Sequence, residues 1–75
     1  MNHKDCVFDI KKTGYKISSI MHKHQITIEE LAARCGISGR TISNWLSGDH
    51  NISMENACRV CKALNVKLDD FVVIR

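Results

Sequence analysis

Proline is absent from the sequence, and glycine occurs only four times in 75 residues. A chain so poor in the two backbone-breaking residues is not collagen-like, not a flexible linker and not a turn-rich β-barrel. Aromatic residues are scarce too: one Trp, one Tyr and two Phe. The longest unbroken apolar run is Phe71-Val72-Val73-Ile74, far below the ~20 residues a membrane-spanning helix needs. The N-terminus is polar and charged, without the apolar stretch of a secretory signal, so the expected location is cytoplasmic and no membrane partner is expected. At this length neither a two-domain enzyme nor a sensor domain joined to a second unit is expected. What is present is 44% hydrophobic residues, enough to argue against disorder. Surface scaling lets about three-fifths of the surface be buried in one small domain, residues 1–75.

The net charge of +3 is modest, but its placement is uneven. Residues 1–25 hold five lysines against two aspartates, the middle third is slightly acidic, and residues 51–75 are slightly basic. The excess is compatible with a phosphate-binding surface and equally with an ordinary solvated one.

Four cysteines raise the question of a disulfide framework or a metal site. In a reducing compartment a disulfide framework is not expected. Cys58 and Cys61 have the spacing of half a zinc site, but a structural zinc takes four ligands and no second such pair exists. His3 and Cys6 lie near a chain end, and His22 and His24 stand beside no cysteine in sequence. A redox pair should follow a strand and open a helix. Cys58 and Cys61 instead fall inside a helical pattern, on one face with Met54, Ala57 and Leu64, and read as small buried hydrophobes. No metal, cofactor or enzymatic activity is expected, because the histidines and acids show no nucleophile–base spacing.

Punctuation divides the chain into short helices. The first is expected from about Gly14 to His24 with Thr13 as N-cap, since Ile17, Ile20, Met21 and His24 recur at helical spacing. Thr27-Ile28-Glu29-Glu30 fits a capping box, with Ile26 stapling onto Leu31, and Gly36 closes this second helix in a left-handed conformation. Ser38 caps a third helix, Gly39 to Ser47, which stops at Gly48. On it Ile42, Trp45 and Leu46 lie together, while Arg40, Ser43, Asn44 and Ser47 form a polar stripe opposite. A fourth helix runs from its cap Ser53 to Leu64, with Asn65 as C′ residue, and a short fifth spans about Leu68 to Val72. The β-favouring segments Val7 to Ile10 and Val72 to Arg75 are too short to form sheets alone. They can pair with one another or with a second chain.

Two short helices joined through Gly36 and Ile37, the second polar on one face, describe a helix-turn-helix over about residues 27–47. A B-form major groove, about 12 Å wide, admits one such helix. The capped helix starts, at Thr27 and Ser38, offer backbone amides and positive dipole ends to phosphates.

The chain also resembles the Cro/lambda-repressor (Xre-like) type of helix-turn-helix domain. The matching residues are Thr27-Ile28-Glu29-Glu30-Leu31-Ala32, Gly36-Ile37-Ser38, Thr41-Ile42-Ser43-Asn44-Trp45 and Gly48. Downstream, Ala63 to Phe71 resembles the family's fourth-helix end and fifth helix, and Thr13-Gly14-Tyr15-Lys16-Ile17 its helix-one entry. The resemblance implies an all-α, compact five-helix domain and a sequence-specific, stand-alone, repressor-like regulator of transcription that binds double-stranded DNA. Base reading then falls to Gly39, Arg40 and Asn44, with Ser43 nearby: Arg40 suits guanine and Asn44 adenine. Ser38, Thr41, Ser47 and Asn51 suit phosphates, which position rather than specify.

The chain departs from the family pattern in several places. Gly39 has no side chain where a base is often read, and Ile28 replaces the polar residue, often Gln, that clamps phosphate. Asp49 brings a negative charge into a loop expected near the DNA backbone. Met21 and Leu46 together replace an arginine–glutamate pair, so no charge is stranded. Because one copy reads few bases, a homodimer is expected, built through the chain ends unless the apolar tail lies on its own core. The alternative function is an antitoxin-type protein-interaction module using the same fold.

Overall fold

Residues 8–74 are described by a computed structural model. They form α1 (Ile10–Lys23), α2 (Ile28–Cys35), α3 (Gly39–Ser47), α4 (Met54–Leu64) and a single 3₁₀ turn, Leu68–Asp70. The expected His3 and Cys6, and the ends Val7 and Arg75, lie outside the described residues.

Local chemistry sets most helix limits where the sequence predicts them. Thr27, Ser38 and Ser53 are extended, and their hydroxyls accept the amides of Glu30, Thr41 and Asn56. Each takes up a donor that the first helical turn leaves without a partner. At α2 the box is complete: the Glu30 amide donates to Thr27 Oγ1 at 3.1 Å, and the Thr27 amide to Glu30 Oε1 at 2.8 Å. Gly36, Gly48 and Asn65 end their helices at φ of 70°, 80° and 55°, the left-handed region of C-terminal caps.

The first helix departs from expectation, starting four residues earlier, at Ile10 rather than Gly14. Asp9 is its N-cap, accepting the Lys12 amide at 3.0 Å. Thr13 therefore lies within the helix and is buried. Its hydroxyl oxygen is used elsewhere, accepting the Val73 amide at 3.1 Å. The fifth helix is also shorter than expected, one 3₁₀ turn in place of Leu68 to Val72. The chain leaves that turn to bury Phe71 completely, at 0% exposure. It then runs extended, with Val73 O accepting the Asp9 amide at 2.6 Å and a single antiparallel bridge between Phe8 and Ile74. The expected pairing of the two ends is this one bridge; Phe71 and Val72 pack on the chain's own core, while Ile74 is 64% exposed.

That core joins Ile17 and Met21 of α1, Leu31 of α2, Ile42 and Trp45 of α3, Ala57, Val60 and Leu64 of α4, and Phe71. The α4 face needs correcting: Ala57, Val60 and Leu64 point inward, Cys61 is half-buried, and Cys58 and Met54 are exposed. The approach of α1 to α3 is close. A Cβ at Gly14 would collide with the carbonyl oxygen of Trp45, so only glycine lets α1 lie against α3 at this depth.

Candidate nucleic-acid interface

α3 is held from behind. Ile42 and Trp45, 0% and 3% exposed, anchor it against α1 and α2. Its polar stripe faces out: Arg40, Ser43 and Ser47 are exposed and Asn44 is half-buried. Among the described residues, no hydrogen bond or ion pair engages the side chains of Arg40, Ser43 or Asn44. An unpartnered guanidinium and an unpartnered carboxamide, one helical turn apart on a fixed backbone, present two bidentate hydrogen-bonding groups to whatever lies along α3.

The starts of α2 and α3 lie side by side. Ile28 Cγ2 sits 3.3 Å from the point a Cβ of Gly39 would occupy. Two departures from the family pattern thus belong to one contact: Ile28 seals the junction, and the missing side chain of Gly39 leaves it room. Thr27 and Ser38, the two caps, are both exposed on this edge. Ser38 Oγ and Thr41 Oγ1 are 2.9 Å apart and share a hydrogen bond, while Ser38 Oγ also accepts the Thr41 amide. Ser38 is therefore committed as a cap, and the half-buried Thr41 is tied to it.

At the far end, Ser47 Oγ lies within hydrogen-bonding reach of both Asn44 O, at 3.2 Å, and Asp49 Oδ2, at 3.0 Å. The Asp49 charge is thereby turned toward its own loop. Asn51 is exposed and its Oδ1 accepts the Ile52 amide at 3.0 Å, which leaves its NH₂ donors facing outward. The nine residues singled out in the sequence thus fall into three groups: Thr27, Ser38, Gly39, Arg40 and Thr41 at the paired helix starts, Ser43 and Asn44 in mid-helix, and Ser47 and Asn51 at the loop.

Titration behaviour separates surface from core. Glu30 is held below the ordinary glutamate value, first by the Thr27 amide and then by the Thr27 hydroxyl. Burial pushes the Cys35 thiol up, with Arg59 opposing. It pushes Cys61 up as well, helped by Cys58 and Asp70. Thiols shifted this way stay protonated and are poor nucleophiles.

A protein-family model described as Helix-turn-helix matches residues 17–71. The chain belongs to this family, in its Xre/lambda-repressor type. It is a DNA-binding regulator of transcription, and not an enzyme. Among solved structures it is similar to the clp gene regulator ClgR from C. glutamicum, at 26% identity and a TM-score of 0.77 over 81% of this chain and 79% of that one. The P22 c2 repressor, solved in complex with a synthetic operator, is 27% identical with a TM-score of 0.72 over 79% of this chain and 89% of that one. The restriction-modification controller protein C.AhdI from Aeromonas hydrophila shares the fold, with a TM-score of 0.80 at 21% identity over 84% of this chain and 96% of that one. No match is found among curated proteins. No helix among the described residues is long and apolar enough to cross a membrane.

One helix-turn-helix neighbour had no signal in the sequence. Lys11, from the first turn of α1, lies against the C-terminal cap of α3, its Cγ 3.1 Å from where a Gly48 Cβ would stand. Only the excess of lysine in the first third of the chain hinted at a cation here.

Proposed function

We propose that the chain represses transcription in the cytoplasm as a single domain that binds operator DNA with α3 in the major groove. The observation that carries this is the outward stripe of Arg40, Ser43, Asn44 and Ser47 on a helix whose other side is locked into the core. Arg40 pairs with guanine and Asn44 with adenine, each through two hydrogen bonds. Gly39, at the start of α3, faces the bases with its backbone alone, and Ser43 reaches the pair beside them. Thr27, Ser38, Thr41, Ser47 and Asn51 hold phosphates on the two sides of the groove, the first two through the free amides of the turns they cap.

The operator is read by a homodimer. Two side chains able to make bidentate contacts discriminate little alone. A second copy about 34 Å away reaches the next major groove on the same DNA face and doubles the readout. Selection of bound duplexes from a random pool by the full chain tests both parts. The expected product is a palindrome whose half-sites each contain a guanine and an adenine, bound by two chains in sedimentation. An asymmetric site bound by one chain would remove the dimer, and failure to enrich any sequence would remove specific reading.

A further inference from the structure

A groove of about 410 Å³ lies between α1 and the C-terminal tail, lined by Lys11, Lys12, Tyr15, Lys16 and Val73. Neither α1 nor the tail contributes to the reading stripe. Tyr15 is 74% exposed, one of the large exposed hydrophobic side chains among the described residues. The groove floor is apolar, made of the phenol ring, Val73 and the aliphatic stems of the lysines, with ammonium groups around its rim.

The rim has one sign of charge. α1 contains no acidic residue, and the carboxylate of Asp9 at its start accepts the Lys12 amide. The one ion pair among the described residues, Arg59 with Glu55, is on α4. Lys11 and Lys12 also occupy the first turn of α1, where the helix dipole disfavours cations. Three ammonium groups therefore surround an apolar floor with no carboxylate among the described residues to pair with them. A second copy seated symmetrically here would bring two lysine triads together. Phosphate oxygens would use the rim and gain nothing from the floor.

We propose that this groove docks an acidic segment of a partner protein. An apolar side chain of the segment packs on Tyr15 and Val73, and flanking carboxylates pair with Lys11, Lys12 and Lys16. Of the lining, Lys11 also lies against the C-terminal cap of α3; the rest belongs to α1 and the tail and includes no residue of the α3 stripe, so the segment and operator DNA bind the same chain together.

The test is selection of short random peptides on the immobilised full chain, followed by affinity measurement of the best peptide. Two variants serve as controls: Lys12→Gln with Lys16→Gln, and Tyr15→Ser alone, which alters no charge. All three positions are exposed, so folding is retained. The expected peptides combine Asp or Glu with a central apolar residue. Each variant should weaken binding of the best peptide by about tenfold or more, while Tyr15→Ser binds duplex DNA as the parent chain does. Peptides that bind both variants equally, or a selection that enriches nothing acidic, would overturn the proposal without touching DNA reading. Loss of duplex affinity in Tyr15→Ser would reassign the groove to the DNA interface.

Discussion

Two glycines in this chain are required for different reasons, and substitution separates them. At Gly14 the backbone is an ordinary helix, but an added methyl would strike the Trp45 carbonyl, a backbone atom that cannot swing aside. At Gly36 nothing lies within 4 Å, but φ is +70°. Gly14→Ala is expected to cost about 1–3 kcal/mol through overpacking, and Gly36→Ala about 1–2 kcal/mol through the left-handed backbone. The difference is checked by crystallography as well as thermal melting: the first variant should shift α1 away from α3, the second should leave the helices in place. Gly39 is a third case, since the neighbouring Ile28 methyl at 3.3 Å can yield. The cysteines divide in the same residue-by-residue manner. Cys58 is exposed and Cys61 half-buried. Cys58→Ala should therefore change stability by no more than about 0.5 kcal/mol. Cys61→Ala should destabilise measurably through lost packing. Neither should alter DNA binding, and protein prepared without added metal should carry no stoichiometric zinc. A matched loss of metal and stability in both variants would contradict the reading of these residues as packing groups.

At the scale of elements, α2 depends on its capping box. Thr27→Ala removes the acceptor of the Glu30 amide and is expected to cost about 0.5–2 kcal/mol. The Glu30 carboxylate has a lowered folded value, so its contribution is fully present above the ordinary glutamate range. It is lost as pH falls through the lowered value. Melting temperature should fall on acidification in the parent chain and fall less in Glu30→Gln; equal slopes would mean that the Glu30–Thr27 bond is not made in solution. Helix limits of this kind were legible because the relevant chemistry lies within three or four residues: Thr27, Ser38 and Ser53 as caps, Gly36, Gly48 and Asn65 as stops. The start of α1 was not. Asp9 and Thr13 are both able to cap, and what decides between them is Val73, sixty residues away, which occupies the Thr13 hydroxyl. The short 3₁₀ turn has the same origin, because Phe71 is drawn into the core before a helix can continue. Cys58 was misplaced because α4 offers two overlapping periodic stripes, and only packing selects the one through Ala57, Val60 and Leu64. On α3 the buried side was legible from Ile42 and Trp45, and with it the outward stripe. The contacts of Ile28 with Gly39 and of Lys11 with Gly48 were not, since each joins elements whose docking no local pattern encodes.

At the scale of the whole molecule, the chain is a frame that fixes one helix. The tail contributes Phe71 to that frame, so a chain cut after Asp70 should lose stability as a unit, an effect separable from dimer formation by melting the protein without DNA. The deciding question is whether α3 lies in the groove with Arg40 on a base. The measurement is the affinity of the full chain and of Arg40→Ala for a selected duplex and for a random one, each at two salt concentrations. With α3 in the groove, Arg40→Ala weakens the selected duplex by about 1–3 kcal/mol and relaxes one guanine position. It leaves the random duplex nearly unchanged, and both chains bind more weakly as salt rises. Equal loss on both duplexes would make Arg40 a phosphate contact, and no loss on either would contradict the placement of α3 in the groove.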